Sequence, residues 1–159
     1  GGDPSPGWVT VAGPTLPSPL PCAGEVDPAA AFERLRTDPR ALLVDVRTQV
    51  ELALVGSPDL SALGRPPVQA EWMTQHGPNP GFIAELKALL VARGVTTDTP
   101  LFFLCRSGGR SRMAAGQLAA EGFTACYNVA EGYEGDLDAH GHRNSVNGWR
   151  ARGLPWRQT

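Results

Sequence analysis

Apolar residues in this chain fall into short unbroken runs separated by stretches with helical spacing. Leu42-Leu43-Val44-Asp45-Val46 and Leu101-Phe102-Phe103-Leu104 are the strongest runs, and they read as strands of a parallel sheet covered on both faces. Val68-Gln69-Ala70 is a weaker strand after an irregular stretch containing Gly56-Ser57-Pro58 and Gly64-Arg65-Pro66-Pro67, and Ala125-Cys126-Tyr127-Asn128-Val129 reads as the last strand. A helix is expected to start at Asp27-Pro28, an N-cap acceptor followed by proline, to run through Ala31, Phe32 and Leu35, and to end at Asp38-Pro39. A second starts at Asn79-Pro80, carries Phe82, Ile83, Leu86, Leu89, Leu90 and Arg93 at helical spacing, and stops at Gly94. The third spans Ser111 to Glu121 with Ala114, Ala115 and Leu118 inward, closed by Gly122. Strands alternating with helices predict βαβ units with right-handed crossovers, hence an α/β layered fold whose ligands sit beyond the carboxyl ends of the strands.

The length, 159 residues with 42% apolar and 19% charged, suits one core. Residues 1–21 hold six Pro, four Gly and a single charge, Asp3, so they are expected to be a flexible leader, with one domain over residues 22–159. No repeat is present. Net charge is −2, which gives no whole-molecule case for nucleic acid or an anionic membrane. The balance is uneven, because residues 140–159 carry Arg143, Arg150, Arg152 and Arg157 without an acid. Such a tail reads as a solvated edge that can also guide small anions.

No apolar run reaches the ~18–20 residues of a membrane span, and no basic-then-apolar signal opens the chain, so a cytoplasmic location is expected. The Gly-Gly start without Met is what a trimmed N-terminus would leave. Cys22, Cys105 and Cys126 are odd in number and widely spaced, which argues for reduced thiols over a disulfide framework or zinc. Cys126 is expected to be buried and inert, and a redox role would require it or Cys22 to reach Cys105. His140 and His142, flanking Gly141, read as surface residues, and Asp136 and Asp138 nearby do not turn them into a metal site. Trp149 and Trp156 are expected to pin the C-terminal segment onto the sheet. Glu131, Glu134, Asp136 and Asp138 form a solvated acidic run able to pair with the tail arginines.

The chemistry points to Cys105-Arg106-Ser107-Gly108-Gly109-Arg110-Ser111, between a buried strand and a helix start. A helix N-terminus offers unpaired N–H groups and the positive end of its dipole, and Arg106, Arg110 and Arg112 add charge. These surroundings favour a thiolate, the nucleophilic form of cysteine. Two glycines let the backbone curl so that several N–H groups converge where the Cys105 sulfur would lie.

That loop resembles the active loop of rhodanese-domain proteins, the single-domain sulfurtransferases. Asp45-Val46-Arg47, with Glu51 four residues on, is similar to the family's Asp-x-Arg motif, and Gly148-Trp149 through Gly153-Leu154-Pro155 is similar to the tail that closes such domains. The likeness spans about residues 22–159. It implies a central five-stranded parallel sheet with helices on both faces and Cys105 as the sulfur-carrying nucleophile. It further implies that the N–H groups of residues 106–110, Ser107, Gly108 and Gly109 among them, hold the transferred sulfur. Arg106 would meet the anionic donor, Arg110 would brace the loop or help bind the donor, and Asp45 and Arg47 would support the active face. The chain departs from the family where the usual Gly-His-Ile-Pro-Gly-Ala is Val55-Gly56-Ser57-Pro58-Asp59-Leu60, and where the usual Gly-Gly after the last strand is Glu131-Gly132.

The expected activity is therefore transfer of a sulfane sulfur from thiosulfate or a persulfide donor, through a Cys105 persulfide, to a thiol or cyanide, with a sulfur-accepting protein as a possible partner. No metal or organic cofactor is needed for it. A phosphatase or arsenate reductase would need a wider cradle of the Cys-x5-Arg type; here position +6 from Cys105 is Ser111 and the fit is Cys-x4-Arg. A non-catalytic partner-binding module on the same fold is the third reading, and an intact cysteine argues against it.

Overall fold

The computed structural model describes residues 8–9 and 23–158. Its main sheet holds five parallel strands, β2 (Gly24–Val26), β3 (Leu42–Asp45), β5 (Val68–Gln69), β8 (Leu101–Leu104) and β9 (Cys126–Val129), in the order β2-β9-β8-β3-β5. A short strand β1 (Trp8–Val9) pairs antiparallel with β2 at one edge. The central pairing aligns Leu42 with Leu101 and Val44 with Phe103, so side chains alternate between the two faces with period two. Leu42, Val44, Leu101, Phe103 and Cys126 meet helix α3 (Phe82–Ala92) and helix α4 (Gly109–Ala119) through Phe82, Leu86, Leu90, Ala114, Ala115 and Leu118. Leu43, Phe102, Leu104 and Val129 face the other way, onto Ala31 and Leu35 of helix α1 (Pro28–Thr37) and onto Tyr133 and Trp149.

The expected ends of α1 hold: Asp27 accepts from the Ala30 N–H at 2.7 Å, Pro28 is the first helical residue, and Asp38 is the C-cap. Of the two tryptophans expected to pin the tail onto the sheet, Trp149 does so and Trp156 does not. Trp149 is buried, lies edge-on to Phe32 at 5.8 Å, and donates its indole N–H to the Pro155 carbonyl at 2.7 Å. Trp156 lies at the surface with the Arg150 guanidinium 3.8 Å over its ring. It belongs to β10 (Trp156–Arg157), which pairs antiparallel with β4 (Ser57–Pro58). A second ribbon joins β6 (Met73–Thr74) to β7 (Gly77–Pro78).

Three expectations need correction. Within the stretch expected to be an unpacked leader, Trp8 and Val9 pair with Val26 and Glu25, because β2 would otherwise expose an unpaired strand edge; the rest of residues 1–22, Cys22 included, lie outside the described residues. The segment after Asp45-Val46-Arg47 is not wholly irregular but contains helix α2 (Gln49–Val55). Helix α4 starts at Gly109 rather than Ser111, so Gly109 and Arg110 of the candidate loop are its first turn. Gly108 is the N-cap at φ 109°, a left-handed conformation that a side chain resists, and this lets the chain turn directly from the sulfur-bearing loop into helix.

Candidate active site

Cys105 follows the last residue of β8, at the carboxyl end of a central strand, and is 1% exposed. The Gly108 N–H donates to its Sγ at 3.1 Å, and the Ser111 Oγ lies 3.2 Å from the same sulfur. No side chain among the described residues caps α4. The N–H groups of Gly109, Arg110 and Ser111, which lack partners within a helix by its geometry, are therefore open at the end where the sulfur sits. Ser107, half-buried, and Gly109, exposed, complete the loop.

The loop is strapped from the segment after β9. The Cys105 carbonyl accepts from Tyr133 N–H at 2.8 Å, and the Arg106 carbonyl accepts from the N–H groups of Glu134 (2.9 Å) and Gly135 (3.2 Å). This close approach requires Gly132, where a Cβ would lie 2.5 Å from the Cys105 carbonyl oxygen. The glycine retained from the family's usual pair is thus the one pressed against the loop. Glu131 takes the other position at φ 69°, and its carboxylate accepts from Gly148 N–H (2.9 Å) and from Arg152 Nε (2.8 Å). The acidic run does meet the basic tail at this point. Asp138 instead accepts from the His140 and His142 N–H groups and from Ser145 Oγ, closing its own turn.

The loop arginines divide into three roles. Arg106 is exposed and has no carboxylate partner among the described residues. Arg112 pairs with Glu25 of β2. Arg110 forms a two-pronged pair with Glu51 of α2, each contact 2.8 Å. Two of the three positive charges expected around the thiol are thus neutralised, leaving Arg106 and the helix donors to attract an anion.

Glu51 also closes a capping box with Thr48, accepting from the Thr48 N–H at 3.1 Å while the Thr48 Oγ1 accepts from Glu51 N–H at 3.2 Å. Burial would raise its carboxyl pKa, but the hydrogen bonds from Arg110 and Thr48, with the Arg110 charge, hold it at about 2. The folded value lies below the unfolded one, so ionised Glu51 stabilises the fold above about pH 4.5 and that contribution is lost as pH falls through about 2. Glu51→Gln is expected to lower stability at pH 7 by about 1–3 kcal/mol. In urea titrations the gap to the native protein should narrow between pH 5 and pH 2, and a gap independent of pH would contradict this ion pair.

Asp45, the last residue of β3, and Arg47 are both buried, with Arg47 donating to the carboxylate at 2.9 and 2.6 Å. The guanidinium stacks 4.2 Å over the Tyr133 ring. Tyr133 has its phenol pKa pushed up to about 12 by burial, against the lowering effect of Arg47 and Arg150; it stays neutral and donates to the Val55 carbonyl at 3.1 Å.

Two residues without an expected role reach the site. Ser111 touches the sulfur, and Asn128 of β9 accepts from Ser111 Oγ at 2.6 Å while donating to the Gly108 carbonyl at 3.1 Å. The signal for Asn128 was a lone amide inside an otherwise apolar strand. Cys126 is buried and stands opposite Leu101 at the start of β8, roughly 13 Å of strand rise from Cys105. That separation is beyond disulfide reach.

A five-stranded parallel sheet with helices on both faces, and a cysteine loop opening into a helix at the carboxyl end of a central strand, defines a rhodanese-like domain. The family model "STR4 middle domain" matches residues 24–159, and the chain belongs to that rhodanese-like family. Its relatives include RP600 of Rickettsia prowazekii, 34% identical over 79% of this chain and 90% of that protein. Rhodanese-like domain-containing protein 4, chloroplastic, of Arabidopsis thaliana is 31% identical over 79% of this chain and 24% of that one. The crystal structure of Rv0390 from M. tuberculosis superposes with a TM-score of 0.75 at 50% identity, covering 85% of this chain and 97% of that one. No helix among the described residues is long and apolar enough to cross a membrane.

Proposed function

We propose that this protein is a sulfurtransferase that carries sulfane sulfur as a Cys105 persulfide. The observation that carries the reading is the Cys105 sulfur held by the Gly108 N–H at the open, uncapped N-terminus of α4. In the first step the Cys105 thiolate attacks the outer sulfur of thiosulfate. A new S–S bond forms, the bond between the two thiosulfate sulfurs breaks, and sulfite leaves with its electron pair. The outer sulfur then rests among the N–H groups of residues 106–110, where the negative charge of the persulfide is stabilised.

In the second step cyanide, or a thiolate, attacks the outer sulfur and leaves with it as thiocyanate or a new persulfide, restoring the Cys105 thiolate. Arg106, exposed and without a carboxylate partner among the described residues, meets the donor anion. Ser107, Gly108 and Gly109 supply backbone donors, and Arg110, held by Glu51, keeps the first turn in place. Asp45 and Arg47 support the active face through Tyr133, whose ring Arg47 covers and whose N–H donates to the Cys105 carbonyl. Neither a metal nor an organic cofactor takes part. The partners are a small anionic sulfur donor and a thiol or cyanide acceptor, including a sulfur-accepting protein, and the proposed site of action is the cytoplasm. Commitment of Arg110 to Glu51 also weighs against phosphatase chemistry, because both terminal nitrogens of that guanidinium are taken up by the carboxylate.

The two half-reactions share one enzyme form, so initial rates at several fixed cyanide concentrations are expected to give parallel double-reciprocal lines against thiosulfate. Lines that intersect would mean that both substrates must be bound before release, and would overturn the persulfide route.

A further inference from the structure

Ser111 Oγ has one hydrogen and three acceptors within reach: Asn128 Oδ1 at 2.6 Å, Cys105 Sγ at 3.2 Å and the Gly108 carbonyl at 3.3 Å. It cannot satisfy the first two together. Asn128 is oriented by its amide nitrogen, which donates to the Gly108 carbonyl at 3.1 Å and lies 3.5 Å from Glu25; its oxygen therefore faces Ser111. Ser111, Asn128 and Cys105 are all buried, so solvent does not stand in for a missing partner and the choice of acceptor carries a cost.

We propose that Ser111 is a two-position hydroxyl that donates to Cys105 Sγ while the sulfur is a thiolate and to Asn128 Oδ1 while it is not. With a neutral thiol, the S–H donates to Ser111 Oγ and the hydroxyl hydrogen points to Asn128. On ionisation the hydroxyl turns and stabilises the anionic sulfur beside the Gly108 N–H. Once an outer sulfur is bound, the negative charge moves to that atom, Sγ becomes a poor acceptor, and the hydroxyl returns to Asn128. No proton is exchanged between Ser111 and Asn128; only the O–H direction changes. This deepens the sulfurtransferase reading and uses the same sulfur.

The charged and titratable groups on the elements packed against the Cys105 loop are Arg106 itself, the Arg110–Glu51 pair between α4 and α2, the Arg112–Glu25 pair between α4 and β2, the Asp45–Arg47 pair after β3, and Glu131, Tyr133 and Glu134 in the segment after β9. None is altered by a change at Ser111. The test follows alkylation of Cys105 by iodoacetamide from pH 5 to pH 10, with no sulfur donor present, on the native chain and on Ser111→Ala, Ser111→Thr and Asn128→Ala. Each variant carries Cys22→Ser and Cys126→Ala, and folding is checked by circular dichroism.

Ser111→Ala is expected to slow alkylation about tenfold at pH 7, with the midpoint moved up and the high-pH plateau retained. Ser111→Thr should restore the native profile. Asn128→Ala, which removes the competing acceptor, should move the midpoint down. A Ser111→Ala rate lowered by one factor at every pH, or not lowered at all, would overturn the proposal, and so would a midpoint unmoved or raised in Asn128→Ala. A native alkylation profile of the expected form beside failed sulfur loading would count against the sulfurtransferase reading and leave this inference standing.

Discussion

Cys105→Ser is expected to reduce sulfur transfer from thiosulfate to cyanide to background while leaving the thermal midpoint close to that of the native protein. Both halves of this outcome come from the same geometry. The Cys105 sulfur accepts from the Gly108 N–H and sits beside the Ser111 hydroxyl, and a serine oxygen can accept from both. The site is buried but small, so the substitution leaves the loop its hydrogen bonds and little new space. Its straps to Tyr133, Glu134 and Gly135 are made by backbone carbonyls and are untouched. The chemistry does not survive, because a hydroxyl is not ionised near neutral pH and forms no persulfide. Steady-state assays with a parallel thermal melt separate the two effects; residual turnover well above background would place the nucleophile elsewhere.

The second large effect is one of stability. Arg47→Met is expected to destabilise the protein by about 3–5 kcal/mol, since it leaves the Asp45 carboxylate buried without its counter-charge. Asp45 and Arg47 are both fully buried at the side chain, and the arginine makes two bonds to the carboxylate while covering the Tyr133 ring. A loss of this size is a large share of the roughly 5–15 kcal/mol that holds a domain of this kind together. The double variant Asp45→Leu, Arg47→Met removes both charges and should recover most of the loss, as buried pairs replaced by apolar groups commonly do. Urea unfolding of the three proteins measures this directly. A single variant within about 1 kcal/mol of the native protein would show that the pair does not carry the support assigned to it.

How far such features were readable from residues alone depended on whether the signal was local. Asp27-Pro28 fixes the start of α1, and the unbroken apolar runs of β3 and β8 mark strands covered on both faces, so these elements could be placed. The cysteine loop was legible because its glycines and arginines crowd one short segment. Helix α2 does not stand out in the hydrophobic pattern, although Thr48 and Glu51 carry a capping-box spacing. It is short, buries only Leu52, and is tied down by Arg110 from another element. Strands β1 and β2 are too short to show a period, and β1 exists only as the partner of β2. Helix α4 starts before the position its sequence suggests because paired glycines read as loop, whereas Gly108 at φ 109° is the cap that begins the helix. The division of labour among Arg106, Arg110 and Arg112 depends on where Glu51 and Glu25 lie in space, and the Ser111–Asn128 contact joins a helix to a strand.

The departures from the family pattern are also explained by packing. Gly132 is kept because the loop carbonyls leave no room for a Cβ, while Glu131 replaces a glycine at positive φ and uses its carboxylate to bind Arg152 and the Gly148 N–H. The tail of the chain is thereby fastened to the residue next to the one that positions the catalytic-loop candidate.

The most direct test of the central claim is the intact mass of the reduced protein after mixing with thiosulfate, measured beside Cys105→Ser. The account predicts a gain of one sulfur atom on the native chain, absent from the variant and removed by cyanide. A reduced native protein that gains no sulfur, or a variant that gains it equally, would contradict it.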